Sequence, residues 1–173
     1  FTVEAWVTPA SERASGPARV VTLSLGPHDR NFTLGQGGLD DVGLWAFRLR
    51  TQGGPAPGDA NGSPTLETRA GSTHLGASHV VFTHSEAEGL VRTYLDGVEA
   101  DLCSVDDRDS FERGWRRTGD YRGWDRDFEL ARGGELSETT WTSRHWAGTY
   151  HLVAVYCRSL TAAEVERNHS AGY

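Results

Sequence analysis

Two carboxylates two residues apart, in Asp127-Phe128-Glu129, are the nearest this chain of 173 residues comes to an acid–base pair. On a strand, residues i and i+2 share a face. Retaining glycoside hydrolysis would need the two carboxyl groups about 5–5.5 Å apart inside a sugar-binding cleft. The third acid and the surrounding aromatics of such a cleft are not in place, and a strand-end salt bridge is the more ordinary account of the pair. Other catalytic constellations are missing as well. There is no Gly-x-Ser-x-Gly elbow and no Cys–His pair in recognisable context. The histidines (His28, His74, His79, His84, His145, His151 and His169) lack zinc spacing; His79 and His84, five apart on one strand, fall on opposite faces. The expectation is a protein that is not an enzyme.

Binding chemistry is better represented. Asp106-Asp107-Arg108-Asp109 and the trio Asp120, Asp125 and Asp127 supply the hard oxygen ligands on loops that Ca²⁺ requires. Neither stretch has EF-hand spacing, and the interleaved Arg108, Arg122 and Arg126 compete for the same carboxylates. The second cluster is the better calcium candidate, set against plain Arg–Asp pairing; no cofactor is otherwise required. Trp115, Tyr121, Trp124 and Trp141 offer flat apolar faces beside polar groups, suited to stacking on a sugar ring. Against this, indoles are large and mostly buried, so Trp124 and Trp146 can equally close the end of a sandwich. Phe1, Trp6, Phe32, Trp45 and Phe82 belong in or near the core.

These groups must be positioned by strands. Phe1–Val7, Arg19–Leu25, Asn31–Gly35, Leu44–Arg50 and His79–His84 read as strands, Pro64–Arg69 as a weak one and Phe128–Ala131 as a short one. Val91–Leu95 and Val98–Ala100 flank Asp96-Gly97, a pair that supplies the positive φ angles of a type I′ hairpin turn. Gln52 to Ser63 is an exposed loop, and 104–125 a long insertion of low apolar content. From Trp146 a long strand runs into a helix, with Thr161 and Glu164 as a capping box and Leu160 with Val165 as the hydrophobic staple. Short strands with turn signals every eight to twelve residues or so specify an all-β, two-sheet antiparallel sandwich with one short C-terminal helix.

Composition bounds the setting. With no Lys but 17 Arg, and no Ile, the bias is that of a GC-rich bacterial genome; without Met, the chain is expected to be part of a longer protein. A net charge of −7 argues against nucleic acid and anionic membranes as partners, and no segment could insert in a membrane. Cys103 and Cys157 are too few for a disulfide scaffold; one bridge or two thiols remain open.

The order Phe1-Thr-Val-Glu-Ala-Trp-Val, Arg30-Asn-Phe-Thr-Leu-Gly-Gln, Phe47-Arg-Leu-Arg-Thr, His79-Val-Val-Phe-Thr, Tyr94-Leu-Asp-Gly-Val-Glu and Gly148-Thr-Tyr-His-Leu-Val-Ala-Val-Tyr-Cys-Arg-Ser-Leu-Thr resembles bacterial laminin G-like, concanavalin A-like jelly-roll domains. The resemblance spans residues 1–173 as a single domain. It implies two packed antiparallel sheets, a calcium-bearing rim in some members, and a first strand that this chain lacks. It also implies an extracellular, cell-surface or periplasmic module that binds or adheres, with a glycan or protein partner at the cell surface. Glycosidases of this fold carry Glu-x-Asp-x-x-Glu on one strand, which has no counterpart here. Because one fold hosts many functions, two alternatives stand beside the binding module: a structural or assembly subunit that joins copies through an open sheet edge, and a divergent glycoside hydrolase or polysaccharide lyase.

Overall fold

Alternation along each strand sorts the side chains into an inner apolar layer and an outer, mostly polar one, and two sheets close over the inner layer. The computed structural model describes all residues except 15, 27, 39–42 and 134–143. In chain order the elements are β1 (Thr2–Pro9), β2 (Ala18–Ser24), β3 (Arg30–Gln36), β4 (Trp45–Leu49), β5 (Leu66–Glu67), β6 (Ser78–Ser85), β7 (Leu90–Leu95), β8 (Val98–Ala100), β9 (Leu102–Ser104), β10 (Asp107–Glu112), β11 (Trp115–Arg116), β12 (Glu129–Arg132), β13 (Gly148–Tyr156) and α1 (Ala162–Ala171). Among the described residues one sheet runs β11-β7-β6-β1-β13, with β8 paired to β7, and the other β10-β9-β5-β4-β3-β2-β12. Every ladder between named strands is antiparallel. The expected jelly-roll sandwich is the fold observed.

Val3, Ala5 and Val7 of β1, Val80 and Phe82 of β6, Phe32 and Leu34 of β3, and Trp45, Phe47 and Leu49 of β4 form the inner layer. Phe47 and Phe82 stack across the two sheets, ring centroids 4.3 Å apart. Burying such a side chain contributes about 1.5–3 kcal/mol. Asp96 at φ 49° and Gly97 at φ 81° make the β7–β8 turn with both central residues left-handed, as type I′ requires.

Helix α1 covers the outer face of the β1/β6/β7 sheet. Thr161 Oγ1 accepts from Glu164 N–H at 3.3 Å, Glu164 Oε2 accepts from Thr161 N–H at 2.9 Å, and Leu160 and Val165 pack with Val81 and Tyr94. Trp6 is buried here rather than in the inner layer, stacked 4.7 Å from His79 and 5.4 Å from His169 of the helix. Glu4 beside it accepts from His79 Nε2 (2.7 Å), the Tyr156 hydroxyl (2.7 Å) and Asn168 Nδ2 (3.0 Å). Burial opposes ionisation of Glu4, but these bonds outweigh it and hold the carboxyl below its ordinary range. The strand-to-helix unit is therefore a closure of the sandwich.

The segment read as a long insertion of low apolar content contains strands. β10 pairs with β9 in one sheet and β11 with β7 in the other, so the segment ties the two sheets together. Its β10 sequence, Asp-Arg-Asp-Ser-Phe-Glu, has little β propensity and no apolar alternation, so only the ladder holds it extended.

Candidate functional site

The aromatic groups of the insertion are turned into the protein. Tyr121 and Trp124 pack on Phe1, with Trp124 edge-on at 5.1 Å and Tyr121 at 6.1 Å, and both rest on the inner apolar layer. Their polar atoms are engaged: Trp124 Nε1 donates to Arg50 O at 2.8 Å, and the Tyr121 hydroxyl donates to His84 Nδ1 at 2.5 Å. His84 Nε2 donates in turn to Arg117 O at 2.8 Å. Burial pulls the His84 imidazole down to about 4, against the opposing bond to Arg117 O and with the Arg117 charge adding to the fall, so the ring is neutral at pH 7. The Arg117 guanidinium donates to Ser63 O and Pro64 O at 2.7 and 2.9 Å, and burial lowers it to about 10. Together these residues form a lid over one end of the sandwich. Trp115 is half-buried in β11 against the same layer, and Trp146 is buried with its Nε1 donating to Gln36 Oε1 at 2.7 Å. Trp141 lies outside the described residues.

The acidic trio does not converge. Asp120 accepts from Arg122 through both oxygens, Oδ1 from the backbone N–H at 2.9 Å and Oδ2 from Nε at 2.9 Å. Asp125 Oδ1 caps the following turn by accepting from Asp127 N–H at 3.0 Å. In the other stretch Arg108 Nε reaches Glu67 Oε2 at 3.1 Å. Among the described residues no three His, Cys, Asp or Glu side chains gather as a metal centre. Asp127 sits in a turn before β12, not on the strand, so the i, i+2 argument for an Asp127/Glu129 pair lapses. The two cysteines are free thiols: Cys103 is buried in β9, and Cys157 is exposed just past the end of β13, a strand of the other sheet.

What the structure does assemble is a cavity of about 360 Å³ on the outer face of the other sheet, above β5, β9 and β10. Glu67 and Cys103 are register partners and so point the same way, into this space. Glu67 is buried at 1% exposure and held by Arg108. The Arg69 guanidinium lies 4.0 Å above the Phe111 ring and is steadied by Asp101 Oδ2 at 3.3 Å. Burial, then the Glu67 charge, raises the Cys103 thiol, so it stays protonated. From the cavity the row continues through Ala46 and Gly35 to Arg19. A parallel row holds Arg48, Thr33 and Thr22, with Thr22 and Thr33 hydroxyls 2.8 Å apart and Arg30 Nη1 donating to Thr33 at 3.1 Å. This sheet face is therefore lined with fixed donors and acceptors rather than apolar groups. Its members are spread over five strands, and only the register brings them together.

With fold and site described, comparison with known proteins defines the class: a lectin-type jelly roll. A laminin G family model, described as the Concanavalin A-like lectin/glucanases superfamily, matches residues 1–166, and the chain belongs to that family. No curated protein sequence matches it. Among solved structures the chain is similar to the Ruminococcus gnavus IT-sialidase CBM40, at TM-score 0.64 and 15% identity over 96% of this chain and 80% of that one. A putative carbohydrate binding protein from Bacteroides ovatus ATCC 8483 gives TM-score 0.60 and 15% identity over 97% and 40% of the two chains. The heptameric SAP-like pentraxin of Limulus polyphemus gives 0.60 and 13% over 95% and 67%. At these identities the likeness establishes the fold.

Proposed function

We propose that this domain is a non-catalytic glycan-binding module of an extracellular or cell-surface protein, and that the sugar enters the cavity above β5, β9 and β10. The observation that carries the reading is the cavity itself. Its volume, about 360 Å³, suits a small ligand, and the Phe111–Arg69 stack stands beside the rigid Glu67–Arg108 pair. An apolar ring with preset polar groups next to it is the chemistry that recognises a pyranose. Two similar structures support the class of ligand, the R. gnavus module bound to α2,3- and to α2,6-sialyllactose, with TM-scores of 0.62 and 0.60. Hydrolysis would need two carboxyl groups at the sugar. Among the described residues lining the cavity the one carboxylate is Glu67, already held by Arg108, so the reading is binding without turnover.

The test is a glycan array that includes sialylated and neutral oligosaccharides, followed by calorimetric titration of the hits. Phe111→Ala and Arg69→Ala are expected to weaken binding by about tenfold or more, some 1.4 kcal/mol, while the thermal midpoint stays close to that of the parent. Arg69 is 61% exposed in its side chain, so its loss leaves the core intact. Binding unchanged in both variants, or no glycan bound at all, refutes the assignment.

A further inference from the structure

The outer face of the β1/β6/β7 sheet carries a second cavity, of about 310 Å³, in a trough between the β6–β7 hairpin and the start of α1. It lies on the opposite side of the sandwich from the cavity above β5, β9 and β10. Register assembles its floor. Thr83 partners Arg92 and Tyr94 partners Glu99, so these four side chains share the outer face. Leu160 and Ala162 close the side next to the helix, and Glu88 stands at the hairpin turn.

The charges in this trough do not balance. Arg92 Nη1 donates to Glu88 Oε2 at 2.5 Å, while its Nε stands 3.6 Å from Glu99 Oε1, beyond hydrogen-bond reach. Two carboxylates therefore share one guanidinium, and Glu99 accepts no hydrogen bond from a described residue although its side chain is only 26% exposed. Tyr94 beside it is 2% exposed, and its hydroxyl is likewise without a hydrogen-bond partner among the described residues. Burial, then the Glu99 charge, raises this phenol, which keeps the hydroxyl protonated and places it in the field of that carboxylate. Buried polar groups of native proteins are as a rule satisfied. A buried phenol and a shielded carboxylate, side by side at one cavity and both unfilled, mark the place of a donor that the chain does not supply.

We propose that this trough binds an amino sugar, a pyranose with a free primary ammonium that donates to Glu99 and to the Tyr94 hydroxyl oxygen. An ammonium brings three donors and no acceptor, which is what these two groups lack. Its charge also neutralises the trio of Glu88, Arg92 and Glu99. The same count turns an anion away, and the start of α1 offers it no compensation, because Glu164 already accepts from Thr161 N–H at 2.9 Å. The rest of the lining is hydroxylic. Thr83 Oγ1 accepts from Thr2 Oγ1 at 3.0 Å and Ser85 Oγ from Glu88 N–H at 3.3 Å, so each keeps its own proton for a ligand oxygen, and Ser159 adds a third hydroxyl. Hydroxyl donors around an ammonium-binding pair suit a hydroxylated ring better than the aliphatic stem of a lysine. A net charge of −7 favours the approach of a cation. The trough shares no residue with the cavity of the glycan-binding reading and does not depend on it.

Calorimetric titration with glucosamine at about pH 6.5, where a sugar amine is charged, tests it beside glucose, N-acetylglucosamine and Nα-acetyl-lysinamide at equal ionic strength. Saturable binding of glucosamine at roughly millimolar concentrations is expected, with glucose and N-acetylglucosamine weaker by about tenfold or more. Glu99→Gln should weaken glucosamine binding by about tenfold and Tyr94→Phe by a few-fold, near-UV circular dichroism verifying that both are folded. Amide chemical shifts of the parent should move on titration at Thr83, Tyr94 and Glu99 rather than at Glu67 and Cys103. Glucosamine that does not bind, binds no better than glucose, binds both folded variants as it binds the parent, or shifts amides elsewhere overturns the proposal. Nα-acetyl-lysinamide bound as tightly as glucosamine overturns it too, and assigns the trough to a lysine side chain.

Discussion

Protonation of His84 should loosen the lid formed by Tyr121, Trp124 and Arg117, and the cost follows from the geometry. Folded, the ring is held neutral with a pKa near 4; unfolded, it returns to 6.5. Depression in the folded state means that the unfolded chain binds the proton first. Stability is therefore intact above pH 6.5 and declines as the pH falls toward 4. Over the whole window the loss approaches about 3 kcal/mol at 1.36 kcal/mol per unit. Between about pH 7.5 and pH 5 it amounts to about 2 kcal/mol, or a fall of about 4–8 °C in thermal midpoint for a domain of this size. His84→Gln retains a donor for Arg117 O and an acceptor for the Tyr121 hydroxyl but cannot titrate. Urea unfolding of parent and variant at both pH values isolates the His84 contribution, because every other titrating group is common to the two proteins. The parent's advantage over the variant should shrink by about 2 kcal/mol on going to the lower pH. An advantage equal at the two pH values would show that the imidazole takes up its proton freely, and the lid would then not be the sealed cap described above.

Two further outcomes concern the thiols and the acidic loop. In the native protein a thiol reagent should modify Cys157 at once and Cys103 only on unfolding, since the first is exposed and the second buried with a raised pKa; two protected thiols that appear only after reduction would instead show a disulfide. Calcium should leave the thermal midpoint of parent and Asp120→Asn alike unchanged, because Arg122 already occupies both Asp120 oxygens; a concentration-dependent rise in the parent that is absent from the variant would establish a site.

The parts of this fold that could be read from the chain are those in which local chemistry and tertiary role agree. Asp96-Gly97 demands one turn type wherever it stands, Thr161 and Glu164 cap a helix from within four residues, and Phe32, Trp45 and Phe82 are apolar enough to be inside any sandwich. The histidines followed from periodicity alone: His79 faces Glu4 under the helix while His84 faces the lid. Where the two levels part, the sequence misdirects. The density of Trp, Tyr and Asp in 115–127 suggests a binding rim, but Phe1 and Phe32 need covering, and the same rings serve that need while Arg122 takes up the carboxylate. The cavity has the opposite character. Glu67, Arg69, Cys103, Arg108 and Phe111 form no motif and lie up to 44 positions apart, so no short window along the chain contains them all. They meet because β5 pairs with β9 and β9 with β10, and β10 is a strand whose polar sequence hides it. A site made by register rather than by motif is legible only once the pairing is known.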